Sequence, residues 1–242
     1  MKPALRFVPL IALASMPAAA AEPPSPQQVR AFLAEYGTCI AKREPELAHR
    51  AVLGEANFHY ESPEGKRLRQ RECMDAALLR NSSDGFTGRL RMRLDDDTYR
   101  GVIAEALIAN RAVSLDPAKL PAIAALDYNE PRPLRTTDRD GKPIPEDRLE
   151  RQRAAIARRA EAVALGRLGE CTVRTAPVPA SAVLATQIDT PAELQALNAL
   201  GPTLGQCIKA GETVSLDRVS VRGALAIAYY RLSQAKPSGA IQ

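Results

Sequence analysis

Tyr36-Gly37-Thr38-Cys39 is followed along the chain by Pro45, Ala51-Val52-Leu53, Cys73, Leu94-Asp95 and Arg100-Gly101. The second half runs in the same order through Leu168-Gly169-Glu170-Cys171, Pro177, Ala182-Val183-Leu184, Cys207, Leu216-Asp217 and Arg222-Gly223. This recurrence predicts two copies of one unit, each with its own pair of cysteines. The expected fold is mainly α: two tandem disulfide-closed helical pseudo-repeats, each with at most one short strand before its last helix. The expected boundaries are 22–114 for repeat one, 115–145 for a connector rich in proline and charge, 146–235 for repeat two and 236–242 for a flexible tail.

The helical reading rests on spacing. Val29, Phe32, Leu33, Tyr36 and Ile40 recur at intervals of three and four, which places them on one face of a helix that begins near Ser25-Pro26. The counterpart is the long segment from Pro145 to Val173, with Leu149, Ile156 and Val163 on one side. Alanine-rich short helices follow Pro45 and Pro177, and Thr190-Pro191 opens a further helix as cap and first-turn proline. Asp95 and Asp217 are candidate caps for the last helix of each copy, and the alternating stretches just before them, Leu90 to Leu94 and Thr213 to Leu216, are the candidate strands. Gly101 and Gly223 sit inside those last helices. A helix-interior glycine costs about 1 kcal/mol against alanine, so the pair predicts close approach of another helix. Beside them, Arg100 has Asp96 four residues earlier, whereas Arg222 has Arg218 there. A role common to both arginines therefore needs a partner elsewhere, with helix-end carbonyls as the candidates.

Four cysteines allow three pairings. Near-equal spacing within each copy favours Cys39 with Cys73 and Cys171 with Cys207. Metal binding is the weaker reading, because zinc sites bring two cysteines within a few residues of each other and no pair here is that close.

At the start of the chain, Lys2 and Arg6 precede the apolar stretch Phe7 to Met16 and the small-residue run Ala18 to Ala21, the layout of a secretory signal peptide over residues 1–21. Cleavage is expected after Ala21, leaving a chain in the periplasm or secreted. That compartment is oxidising, which suits disulfides. No later apolar run approaches the roughly 20 residues that span a bilayer, so no transmembrane segment is expected in the mature chain. The net charge is +5, of which Lys2 and Arg6 supply two. So small an excess, mixed evenly with acids and without any tryptophan, argues against nucleic acid as a partner.

Three clusters hold chemically capable residues. His49 and His59, with Glu46, Glu55, Tyr60 and Glu61 nearby, are the candidates for an acid-base or metal site. Their spacing matches no standard metal motif. Asp138, Asp140 and Asp147 stand at positions three, five and twelve of a calcium-loop pattern with Gly141 at the turn, but Thr136 replaces the first carboxylate and Pro143 the usual apolar residue. The run Arg148, Arg151, Arg153, Arg158 and Arg159, interleaved with Glu146, Asp147 and Glu150, reads as a solvated helix face. No nucleophile elbow, zincin helix, phosphate loop or dinucleotide glycine pattern occurs.

These features point to an exported binding or structural protein that needs no cofactor, with a protein or an anionic envelope component as partner. The alternatives are an envelope-acting hydrolase with a site near His49 and His59, and a calcium-dependent interaction module through the Asp138–Asp147 loop.

Overall fold

The structure, a computed structural model, describes residues 25–55, 61–81, 96–209, 214 and 216–236. Residues 1–21, His59 with its aromatic neighbours, Asp95 and the first candidate strand lie outside the described residues, as do Thr213 and Ser215 of the second candidate strand. The described chain is mainly helical. In order come α1 (Pro26–Arg43), α2 (Pro45–Leu53), α3 (Pro63–Leu68), α4 (Arg71–Asn81), α5 (Asp96–Arg111), a 3-10 turn (Pro117–Ala122), α6 (Glu146–Thr175), α7 (Pro177–Ala185), α8 (Pro191–Cys207) and α9 (Arg218–Gln234). No helix among the described residues is long and apolar enough to cross a membrane.

Local chemistry sets the breaks. Ser25 and Gln28 form a reciprocal capping box at the head of α1. Pro45 and Pro177 each lack the N–H that a continuing helix needs and crowd the residue before them. Glu44 and Ala176 accordingly leave the helical region at nearly the same dihedrals, φ −128° and ψ 58° against φ −135° and ψ 64°. Thr190 and Asp217 cap α8 and α9 by accepting from the backbone N–H groups of Glu193 and Ser220.

Two disulfides staple the helices. Cys39 of α1 joins Cys73 of α4 across 34 residues, and Cys171 of α6 joins Cys207 of α8 across 36. The halves differ at the second cysteine. Cys73 lies in the first turn of α4, whereas Cys207 is the last residue of α8.

Apolar side chains collect in two clusters. One gathers α1, α2, Leu68, Cys73 and α5, the other Leu120, Ile123, Val173, α7, Leu200 and α9. They are not separate lobes. Ala226 and Tyr230 of α9 are buried in the first cluster, and Ile108 of α5 packs against both. The connector beginning at residue 115 is likewise not all linker, because Leu120 and Ile123 are core residues.

The two central helices, α5 and α9, touch at glycine. A Cβ on Gly101 would lie 2.7 Å from the Gly223 Cα. On either side the pattern recurs, since a Cβ on Gly37 would fall 2.7 Å from the Val102 carbonyl oxygen and one on Gly169 2.5 Å from that of Ala224. Each obstacle is backbone, so a whole helix must move to make room. Gly101→Ala is therefore expected to destabilise the fold by about 1–2 kcal/mol, the overpacking cost less the gain in helix propensity. Gly205→Ala, in α8 with nothing within 4 Å of the new Cβ, should instead stabilise it by up to ~1 kcal/mol. Urea unfolding of both variants measures the contrast.

Candidate functional site

Buried polar side chains form a clamp. Arg222 of α9 is almost fully buried and donates to the carbonyl oxygens of Val183 (2.8 Å), Leu184 (3.3 Å) and Thr186 (2.9 Å), where α7 ends. It also reaches Thr186 Oγ1, Glu105 Oε2 at 2.7 Å and Glu193 Oε1 at 3.2 Å. Glu193, in the first turn of α8, is 0% exposed. Its carboxylate accepts two bonds from Arg30 of α1, at 2.6 and 3.0 Å, and one from the Asp189 backbone N–H at 2.9 Å. Arg30 also pairs with Asp189, which holds a left-handed φ of 57°. The cluster thus ties α1 and α5 to α7, α8 and α9. Its guanidinium donors are spent on helix ends and carboxylates, which suits fastening better than reaction. The sequence carries one signal for it: Thr190 followed by Glu193 is a capping-box pattern. The glutamate, however, bonds the Asp189 amide and reaches across to Arg30. Arg100 differs from Arg222 in pairing with Asp97, three residues back, at 4.0 Å.

The histidine candidate has a structural partner. His49 Nδ1 and the Tyr230 hydroxyl share a 2.8 Å hydrogen bond, with the rings edge to face. Tyr230 is fully buried, and burial raises its phenol above the ordinary value. Around it, Glu46 pairs with Arg111, Glu55 with Arg50, and Glu61 with Lys66 and Arg69. These carboxylates are not gathered on His49.

The aspartate loop makes a turn. Asp138 Oδ1 accepts from the backbone N–H groups of Asp140 and Lys142, both at 2.9 Å, and Thr137 bridges Pro143. Asp147 lies in the first turn of α6 and pairs with Arg151. The three aspartates do not converge, and no group of three or more ligating side chains that could hold a metal occurs among the described residues.

Polar groups do converge in a cleft of about 570 Å³ between the first turn of α5, one face of α9, the middle of α6 and residues 127–129. The outer wall is an irregular segment held by arginines. Arg159 of α6 donates to the Asn129 and Tyr128 carbonyls at 2.9 and 3.4 Å, Arg231 of α9 donates to the Asp127 carbonyl at 2.8 Å, and Arg167 pairs with Glu130. Extended backbone has no ladder of its own, so side chains satisfy its carbonyls. Arg159 is therefore not part of a solvated face. Tyr128 lies on α6 where Gly166 leaves room, since a Cβ there would meet its ring at 2.5 Å. Arg231 stacks over the same ring at 5.3 Å. Burial, with the nearby Glu170 carboxylate, pushes the Tyr128 phenol far above its ordinary range.

Most charges on the cleft are committed. Asp97 faces Arg100, Asp127 accepts from the Asn129 amide, and Asp217 caps α9. Arg158 and Glu161, both exposed on α6, line the cleft with no hydrogen bond or ion pair among the described residues. Val163, Ala224 and Ile227 supply an apolar floor. No protein-family model, curated protein or solved structure matches the chain.

Proposed function

We propose that the protein is exported, that its two halves descend from one duplicated disulfide-closed unit, and that it acts by binding a small ligand in the cleft between α5, α6 and α9. The cleft carries the reading. Its volume of about 570 Å³ lies inside the range of small-molecule sites, about 300–1,000 Å³, and it combines an apolar floor with a few polar groups, as such sites do. Export is supported by the basic, apolar and small-residue order of residues 1–21 and by two disulfides, which persist in oxidising compartments. The duplication is supported by the matched helix breaks at Pro45 and Pro177 and by the glycine contacts shared between the halves. A hydrolase built on His49 has less support, because the imidazole is bonded to a buried tyrosine.

Thermal unfolding of the oxidised protein from the exported fraction, run against amino acids, short peptides, sugars, phosphate esters and envelope fragments, tests the reading. A ligand of the folded state raises Tm, by the equivalent of about 2.7 kcal/mol at one hundred times its Kd. At least one class should do so without being consumed. Turnover of a class, or no shift from any, would count against binding as the function.

A further inference from the structure

Resting on the assignment of the cleft as the binding site, we propose that its ligand is a short peptide of two or three residues with both ends free, its carboxylate on Arg158 and its ammonium on Glu161. The two side chains carry opposite charge, line the same cleft and have no partner among the described residues. They stand three apart on α6, where ion pairs are geometrically available, yet arginine precedes glutamate. That order is the less favourable one for pairing along a helix. Both groups therefore stay open to a ligand that supplies both countercharges. A simple anion would answer Arg158 and leave Glu161 facing it.

The size of the cleft, about 570 Å³, suits a short peptide rather than a single amino acid. Side chains three apart on a helix start about 5–6 Å apart at Cβ, and an extended chain covers about 3.3–3.6 Å per residue. Two or three residues reach from one charged group to the other, with their side chains over Val163, Ala224 and Ile227. The stacked pair Tyr128 and Arg231 forms part of the wall, with the Arg231 guanidinium bonded to the Asp127 carbonyl. The walls are thus fixed while the two charges of α6 are free.

Isothermal titration of the full oxidised chain with trialanine, N-acetyl-trialanine, trialanine amide and inorganic phosphate separates the possibilities. Trialanine should bind, and each blocked peptide should bind at least tenfold more weakly. Arg158→Gln should lose at least tenfold in affinity for trialanine but little for trialanine amide; Glu161→Gln should behave the same way towards the N-acetyl form. Both substitutions lie on an exposed helix face and should leave Tm unchanged. Equal binding of free and blocked peptides would overturn the proposal, as would phosphate binding that depends on Arg158 while trialanine does not bind. That last outcome would leave the cleft as a binding site. If no compound of the wider panel binds either, the cleft assignment fails with it.

Discussion

Glu193→Ala is expected to lower the free energy of unfolding by about 3 kcal/mol, the low end of the 3–5 kcal/mol typical for breaking a buried ion pair from one side. The mechanism is the charge left behind. Arg30 and Arg222 both bond the Glu193 carboxylate in a site that excludes water. Removing it costs less than the full penalty, because Arg30 keeps Asp189 and Arg222 keeps Glu105 and the carbonyls that close α7. For a chain of this size the change corresponds to a fall in Tm of about 6–12 °C. Combining Glu193→Ala with Arg30→Met should cost less than the sum of the single changes, since residues in one network are not additive. A strictly additive cycle would show that the clamp contributes nothing as a unit.

The same variant has a pH signature. Burial alone would raise the Glu193 carboxyl, but hydrogen bonds from Arg30 and the Asp189 amide, with the charges of Arg30 and Arg222, hold it below its ordinary value. A carboxyl lowered in the folded state stabilises the fold above its unfolded value and loses that contribution as pH falls through the folded one. The loss therefore belongs below the ordinary glutamate range near pH ~4.3. Glu105 acts in the opposite sense, because burial outweighs Arg222 and raises its carboxyl. Its contribution is present in acid and fades as pH rises through the raised value. Since both proteins keep Glu105, the difference between their pH profiles largely isolates Glu193. The gap between wild type and Glu193→Ala should narrow as the solution is acidified.

What could be read in advance follows from the range over which each signal acts. Caps and breaks are local, so Ser25, Thr190, Asp217, Pro45 and Pro177 mark their helices within a residue or two. Apolar spacing likewise reveals the buried face of α1, because it reports a helix's own orientation. It says nothing of what lies opposite. Gly101 announces a close approach, yet nothing along the chain says that it meets Gly223. Arg30 and Glu193 are 163 residues apart, and their pairing leaves no periodic trace. The cleft was hidden for a related reason. Its outer wall is irregular backbone, and the arginines that fix it, Arg159 and Arg231, are composed like any solvated helix surface. Leu120 and Ile123 are masked in the same way by prolines and charges around them.

Opening the disulfides is expected to produce the other large effect. Each bridge closes a loop of 34 or 36 residues, and the chain-entropy relation assigns about 4 kcal/mol to each. At about 2–4 °C per kcal/mol, a Cys39→Ala, Cys73→Ala pair or a Cys171→Ala, Cys207→Ala pair should lower Tm by about 8–16 °C. The two bridges should differ in how readily they are reduced. Cys39 is partly exposed but its partner Cys73 has no exposed surface, whereas Cys171 and Cys207 are both partly exposed; thiol exchange requires access to a sulfur, and the second bridge offers two where the first offers one. In a graded dithiothreitol series with alkylation and peptide mass mapping, Cys171 and Cys207 should be labelled first. Their release also reaches the clamp. Cys207 anchors one end of α8 to α6 while Glu193 sits in the first turn at the other end, so a loosened α8 carries the glutamate away from Arg30 and Arg222. The double variant lacking the second bridge should therefore lose part of the stability that Glu193 supplies, and adding Glu193→Ala to it should cost less than in wild type. Simultaneous labelling of all four cysteines would refute the order of reduction, and full additivity of the two changes would refute this coupling of bridge and clamp.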